Sequence, residues 1–230
     1  MKALSLFFDL GGTLLRPSGI SARRRLGLLM NLSEKEVKRA GRLIMTSPCE
    51  SPESLAGELS RALGTRGSAD VLEAVRSVWR EQFDLVALHP HALDLLDRLR
   101  TSGYRLGLLS NVWPPVIHAL EARHPGFLSS FDHLVLSCRL GFKKPSPAVF
   151  ETAMTAAGPA SPHRTWMIGD SYELDMEPAM KAGMHAIWIL SRPEAEKGLL
   201  AQVLRGEKTR PDSAVGDLAE LPTVLERLAR

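Results

Sequence analysis

Two hydrophobic patterns alternate along the chain. Short apolar runs without polar alternation end at polar or glycine residues, and we interpret five of them as buried strands, at residues 4–8, 105–109, 133–136, 165–168 and 186–190. Between the later runs apolar residues recur at helical spacing, which predicts helices at residues 92–99, 116–120, 147–157, 176–182 and 218–228. Strands and helices that alternate in this way indicate βαβ units. The sequence therefore predicts an α/β fold with a Rossmann-like, doubly wound parallel sheet covered on both faces.

The segment between the first two strands has a different pattern. Residues 18–86 show helical spacing and no strand signal. Ser33 and Glu36 have the spacing of a capping box and precede one of these helices. We therefore expect a small helical cap domain at residues 18–88, inserted into a core domain formed by residues 1–17 and 89–230.

Composition and charge exclude several classes of protein. Of 230 residues, 44% are hydrophobic and 24% are charged, which is typical of a globular protein. No apolar run approaches the roughly 20 residues of a membrane helix, and the N-terminus lacks a signal-peptide pattern. The net charge is only +3 and aromatic residues are 6%, so we expect no nucleic-acid partner and interpret the basic residues 23–25 as a solvated helix face. Cys49 and Cys138 lack metal or disulfide spacing, which favours reduced thiols in a cytoplasmic protein; the sequence leaves the oligomeric state open.

Polar residues follow several of the predicted strands. Parallel sheets bind ligands at the carboxyl ends of their strands. The residues expected at this edge are Asp9, Ser110, Asn111, the pair Lys143-Lys144 and Asp170, and Asp175 comes five residues after Asp170. Acids, a hydroxyl and an amine brought to one edge predict an active site there.

Four segments resemble the motifs of the haloacid dehalogenase-like hydrolase superfamily. They are FFDLGGTL at residues 7–14, LLSN at residues 108–111, Lys144-Pro145, and IGDS at residues 168–171 with Asp175 and Gly183 downstream. Their order and spacing are those of the family and cover about the whole predicted core. The family's helical cap, inserted after its first strand, corresponds to the helical segment described above.

The resemblance implies a phosphatase mechanism on a small phosphorylated molecule. Asp9 is expected to attack phosphorus and form an aspartyl-phosphate, because carboxylates act as covalent nucleophiles. The implied cofactor is Mg²⁺, which carboxylates bind together with water and phosphate oxygens; its expected ligands are Asp9, the Gly11 backbone carbonyl, Asp170 and Asp175. The expected catalytic residues are Asp9, Lys144 and Ser110. The expected phosphate-binding groups are Gly12, Thr13, Ser110, Asn111 and Lys144.

Gly11 departs from the family's phosphatase pattern. Its position normally carries a second Asp, which protonates the leaving oxygen, and such positioned proton transfer contributes roughly 10²–10⁴ in rate. The sequence thus predicts weak activity, or a preference for acyl and aryl phosphates, whose leaving groups need no proton. The phosphatase-like fourth motif around Asp170 argues against a dehalogenase. Nothing marks Lys35 or Lys38 of the cap as the Schiff-base lysine of the phosphonate-cleaving branch.

Alternatives stay open at this point. The protein is either a phosphatase-like hydrolase or a catalytically impaired protein that binds a phosphoryl ligand or a partner; phosphoryl transfer to an acceptor other than water is a third hypothesis. Asp175 is equally compatible with a helix N-cap. The Thr13 hydroxyl either binds phosphate or makes only a local hydrogen bond within its turn. The Trp113 side chain either lines the substrate cleft or packs in the interior.

Overall fold

The computed structural model describes residues 4–16, 19–64, 69–158 and 164–228. Six strands form one sheet in the order β3-β2-β1-β4-β5-β6, and every neighbouring pair is parallel. The strands are β1 Ser5–Phe8, β2 Arg105–Ser110, β3 His133–Leu136, β4 Thr165–Gly169, β5 His185–Ile189 and β6 Ser213–Val215. The predicted Rossmann-like α/β sheet is confirmed.

Helices cover the sheet and fill the segment between its first two strands. That segment contains α1 Ala22–Leu29, α2 Glu34–Thr46, α3 Pro52–Leu63 and α4 Ala69–Leu85, which we call the helical insertion. The remaining helices are α5 Ala92–Thr101, α6 Pro114–Arg123, α7 Ser137–Leu140, α8 Pro147–Ala156, α9 Glu177–Lys181, α10 Pro193–Leu204 and α11 Leu221–Leu228. Within the described ranges, no helix has both the length and the apolar character needed to cross a bilayer.

Each strand sends alternate side chains into two separate apolar layers. Leu6 and Phe8 of β1 belong to the layer that faces α5 and α11, whereas Phe7 belongs to the layer that faces α8 and α9. Phe7 lies opposite Gly107 of β2, where a Cβ atom would be 2.3 Å from the Phe7 ring. The unbroken apolar runs of the sequence follow from burial on both faces.

The helical insertion has its own apolar core and local stop signals. The side chain of Ser33 accepts a bond from the Glu36 backbone N–H while the Glu36 carboxylate accepts one from the Ser33 N–H, so the predicted capping box is present. Ser51 caps α3, and Gly64 ends it in the left-handed conformation. Trp113 of the core packs into the apolar core of the insertion, and its ring lies 5.8 Å from the Trp79 ring of α4.

Some elements were absent from the sequence prediction. Strand β6 has only three residues, too few to show a pattern, and α10 buries only Glu196 and Val203. The predicted helix at 176–182 corresponds to α9 at Glu177–Lys181, and a π-helical turn at Tyr172–Met176 precedes it. The predicted domain boundary at residues 17 and 18 lies outside the described residues.

Candidate active site

Two buried carboxylates meet where adjacent strands β1 and β4 end. Asp9 directly follows β1, and its backbone N–H extends the ladder with a 2.8 Å bond to the Ile168 carbonyl. Asp170 directly follows β4, and the two residues are 7% and 2% exposed. One oxygen from each of Asp9, Asp170 and Asp175 lies within 4.8 Å of the other two. These three acids therefore lie together at one edge of the sheet, as predicted.

Lys144 neutralises part of this acidic cluster. Its Nζ donates to Asp9 Oδ1 at 2.7 Å, to Asp175 Oδ1 at 2.5 Å and to the Leu109 carbonyl at 3.1 Å, and the residue is 1% exposed. Burial by itself lowers the pKa of this amine, but the charges of Asp175 and Asp9 outweigh burial and raise it. Lys144 is thus held as a cation beside the expected nucleophile.

Asn111 fixes the backbone of that lysine. The Asn111 side chain accepts a 2.8 Å bond from the Lys144 N–H and donates a 3.0 Å bond to the Lys144 carbonyl. This reciprocal amide contact ties the loop after β2 to the loop that carries the amine. The sequence pointed to the Asn111 backbone as a phosphate donor and did not reveal this use of the side chain.

Asp175 lies in the π-helical turn and is not a helix N-cap. Its Oδ1 accepts from Lys144 and its Oδ2 accepts from the Ser171 N–H at 3.0 Å. Burial raises the pKa of Asp175 to about 6, the Lys144 charge opposes this shift and the Asp9 charge adds to it. A Cβ atom on Gly169 would be 2.5 Å from the Asp175 carboxylate carbon, so the small residue is required for this packing. The N-cap alternative is therefore wrong, because Ser171 occupies the N-cap of this turn and its side chain accepts from the Leu174 N–H.

Asp170 has a cationic partner that the sequence analysis missed. Arg192, in the loop after β5, donates its Nε–H to Asp170 Oδ2 at 2.5 Å. Burial raises the pKa of Asp170 to about 7; the charge of Asp9 adds to the shift and Arg192 opposes it. The available signal was positional, because Ser191 and Arg192 follow a central strand at the same edge as Asp9. Ser191 also reaches this edge, donating to the Gly12 carbonyl at 2.6 Å.

The turn after β1 differs from its predicted use. The Gly12 N–H donates to the Leu15 carbonyl and the Thr13 N–H to the Leu10 carbonyl, so these two amides are used within the turn. The Thr13 hydroxyl is buried and has no hydrogen-bond partner among the described residues, which rules out the local-bond alternative. A buried hydroxyl without a partner is costly, and a bound anion would satisfy it.

Close packing fixes Gly12 but not Gly11. A Cβ atom on Gly12 would be 2.1 Å from Asp170 Oδ2, and its backbone φ of +82° is strained for other residues. A Cβ atom on Gly11 would meet nothing within 4 Å. The position of the missing acid is therefore open space.

These donors fit a divalent cation that prefers oxygen. Asp9 and Asp170 offer clustered, buried carboxylates, which is the donor type that Mg²⁺ selects. The raised pKa of Asp170 reflects a site where ionisation of the carboxyl depends on a nearby positive charge. Ser110 is also buried at this edge, whereas Trp113 is packed against Trp79 and does not form a cleft wall.

The fold and the clustered motif residues agree with a single family. A family model described as haloacid dehalogenase-like hydrolase matches residues 5–183. The chain belongs to this family. The match contains the acidic cluster, Lys144 and the helical insertion, and it confirms the family and the phosphatase-like hydrolase class predicted from the motifs.

Curated relatives of the chain are phosphatases. A glyceraldehyde 3-phosphate phosphatase of Methanothermobacter thermautotrophicus is 27% identical over 96% of this chain and 99% of its own length. A phosphoserine phosphatase of Thermus thermophilus is 31% identical over 58% of this chain and 49% of its own length. Among solved structures, a HAD family enzyme of Bacteroides thetaiotaomicron in complex with magnesium and inorganic phosphate has a TM-score of 0.59 and 21% identity, covering 81% of this chain and 94% of that one.

Proposed function

We propose that the protein is a Mg²⁺-dependent phosphatase that hydrolyses a small phosphorylated molecule through an aspartyl-phosphate on Asp9. The observation that carries this proposal is the contact of Asp9 with Lys144 inside a buried cluster of three carboxylates. The phosphatase names of the relatives and the magnesium and phosphate in the Bacteroides thetaiotaomicron complex support it.

In the first step an Asp9 oxygen attacks phosphorus while the ester P–O bond breaks. The Lys144 amine donates to Asp9 Oδ1 at 2.7 Å and so fixes the orientation of this carboxylate. The buried Thr13 hydroxyl and the Ser110 side chain would donate to the phosphoryl oxygens. In the second step a water molecule attacks phosphorus, the Asp9–phosphorus bond breaks, and inorganic phosphate and the free carboxylate are regenerated.

Mg²⁺ would be held by Asp9, the Gly11 carbonyl and Asp170. Asp175 would position the Lys144 amine without binding the ion directly. The ion would supply positive charge to the phosphoryl oxygens, which lets an anion attack another anion. Asp175 already uses both carboxylate oxygens on Lys144 and Ser171, which favours the outer role.

Gly11 determines which leaving groups depart easily. Because Gly11 carries no acid, the departing oxygen takes its proton from water. Acyl and aryl phosphates release stable anions, so we expect them to be hydrolysed faster than alkyl phosphates.

The test is phosphate release with Mg²⁺ from acetyl phosphate, p-nitrophenyl phosphate and an alkyl phosphate, with Asp9→Asn alongside. We expect turnover in that order of leaving-group stability and none in Asp9→Asn. Intact mass after rapid quenching should show one phosphoryl group on the wild type only. Turnover that survives in Asp9→Asn would overturn the proposal.

A second candidate is a protein that binds a phosphoryl ligand without turning it over. The missing acid at Gly11 and the Arg192 contact with Asp170 favour it, because one removes a catalytic group and the other places a cation on an expected metal ligand. Calorimetric binding of inorganic phosphate, with no release from any of the three substrates, would support this candidate instead.

A further inference from the structure

Three basic residues gather where the helical insertion meets the lysine loop of the core. Arg23 lies in the first turn of α1, Arg42 lies in α2, and Lys143 directly precedes Lys144. Helix α1 packs against α2, and α2 packs against α7, the short helix that leads into the lysine loop. We call these three residues the cationic cluster.

Packing places Arg23 against α2, and the charges of both arginines act on Lys143. The stem of Arg23 lies on Gly41 of α2, where a Cβ atom would be 2.7 Å from Arg23 Cδ and 3.0 Å from Arg23 Cβ. Gly41 is thus a helix-interior glycine that makes room for an arginine. The positive charges of Arg23 and Arg42 reach Lys143: burial lowers the pKa of the Lys143 amine, and the two guanidinium groups lower it further.

The described ion pairs within the helical insertion involve arginines other than those of the cationic cluster. Other arginines of the insertion are paired, since Arg25 contacts Glu81 at 3.1 Å, Arg76 contacts Glu53 at 2.7 Å and Arg80 contacts Glu73 at 3.2 Å. Among the described ion pairs, the side chains of the cationic cluster take part in none. Three neighbouring cations without an acid repel one another, and a bound anion relieves that repulsion.

The cationic cluster is linked to the proposed phosphate site through the chain, because Lys143 directly precedes Lys144. Consecutive Cα atoms are about 3.8 Å apart, so Lys143 starts one residue from the amine that contacts Asp9. The Asn111 contact fixes the Lys144 backbone, and with it the position from which the Lys143 side chain extends. Lys143 is therefore the member of the cationic cluster that is joined directly to the site residue Lys144.

We propose that Arg23, Arg42 and Lys143 bind a second anionic group of the substrate, so that the protein acts on phosphate esters that also carry a carboxylate or another phosphate. This inference rests on the proposed function, because it places the reacting phosphate at Asp9. Arg23 is exposed, as expected for a solvated helix face, and the proposal adds a ligand contact at this position.

The test compares ligands that differ only in the second group. Calorimetry measures the dissociation constants of the Asp9→Asn variant in excess Mg²⁺ for two pairs of ligands. The first pair is 3-phosphoglycerate and glycerol 3-phosphate. The second pair is fructose 1,6-bisphosphate and fructose 6-phosphate. The first pair detects a carboxylate and the second pair a phosphate. We expect the more anionic member of at least one pair to bind about fivefold or more tightly, the range of one or two partly exposed ion pairs.

Variants then assign the preference to the cationic cluster. In the same background, Arg23→Gln, Arg42→Gln and Lys143→Gln should each reduce it about two- to fivefold, while binding of the less anionic member changes less than twofold. Arg24→Gln and Arg39→Gln remove the same charge from exposed positions on the same helices and should leave it unchanged.

Two results would overturn the inference. The first is equal affinity for the two members of each ligand pair. The second is an equal reduction of the binding preference in the Arg24→Gln and Arg39→Gln controls, which would show that the preference depends on net charge alone. Failure of the proposed function has a different signature. In that case p-nitrophenyl phosphate stays intact with the wild type while the binding preference and its dependence on the cluster remain.

Discussion

Lys143 and Lys144 are neighbours in sequence but belong to two different regions of the molecule. Lys144 points into the acidic edge of the sheet, where carboxylates surround its amine and raise its pKa. Lys143 is half-buried against the helical insertion, where burial and two guanidinium groups lower its pKa. The Lys144 amine thus lies between opposite charges, whereas no ion pair of Lys143 is found within the described residues. We infer that the first region serves chemistry and the second serves recognition.

The largest expected effect is the loss of the Lys144 amine. Lys144→Met leaves Asp9 and Asp175 buried without their shared partner, and breaking a buried pair in this way costs about 3 to 5 kcal/mol of unfolding free energy. Lys143→Met should change that free energy by less than about 0.5 kcal/mol, in the stabilising direction, because it removes a repelled charge. Urea unfolding of both variants measures the contrast, and equal effects would break the distinction between the two regions.

The next effect concerns the open space at Gly11. Gly11→Asp places a carboxyl group where no atom interferes, and we expect alkyl phosphate turnover to rise about 10²-fold as a proton donor is restored. Gly12→Asp is the matched control, because its Cβ atom would collide with Asp170 and should abolish turnover. Steady-state rates on the alkyl substrate decide this prediction; no gain in Gly11→Asp would mean that another group already supplies the proton.

Arg192 provides a smaller effect within the core region. Because it contacts an expected Mg²⁺ ligand, Arg192→Gln should free Asp170 and tighten Mg²⁺ binding by about threefold or more. Lys197→Gln removes an exposed charge from α10 and serves as the control for net charge. Calorimetric titration with Mg²⁺ gives the constants, and weaker binding in Arg192→Gln would show that the arginine supports the ion instead of competing with it.

The smallest effect is expected where the insertion touches the core through exposed groups. His118 Nε2 of α6 lies 2.7 Å from Glu50 Oε2, and these side chains are 37% and 69% exposed. A double-mutant cycle with His118→Gln and Glu50→Gln should give a coupling energy of about 0.2 to 1 kcal/mol. A coupling of several kcal/mol would show that the insertion is fixed to the core by charge and not by apolar packing around Trp113.

Local signals predicted the sheet and the acidic cluster. Asp9 and Asp170 follow apolar strands, and parallel strands bring such positions together whatever the intervening chain does. Lys144 was recognised because it precedes Pro145 as in the family's motif. The capping box at Ser33 was predictable because both partners lie within one helical turn.

Contacts between distant segments were not predictable in the same way. The position of Arg192 after β5 indicates the correct edge of the sheet, but no local pattern indicates that its side chain contacts Asp170, 22 positions earlier. The proximity of Arg23 to Lys143 depends on how helices pack, which hydrophobic spacing does not specify. The use of the Gly12 and Thr13 amides within their own turn depends on backbone geometry that many sequences share.

The contact between Asn111 and Lys144 has a consequence for how such a protein diversifies. It joins two loops of the sheet and involves no residue of the helical insertion. A lineage can therefore lengthen, exchange or rebuild the insertion without re-aiming the amine at Asp9. New ligand preferences can arise by changes in one module while the reaction is inherited unchanged in the other.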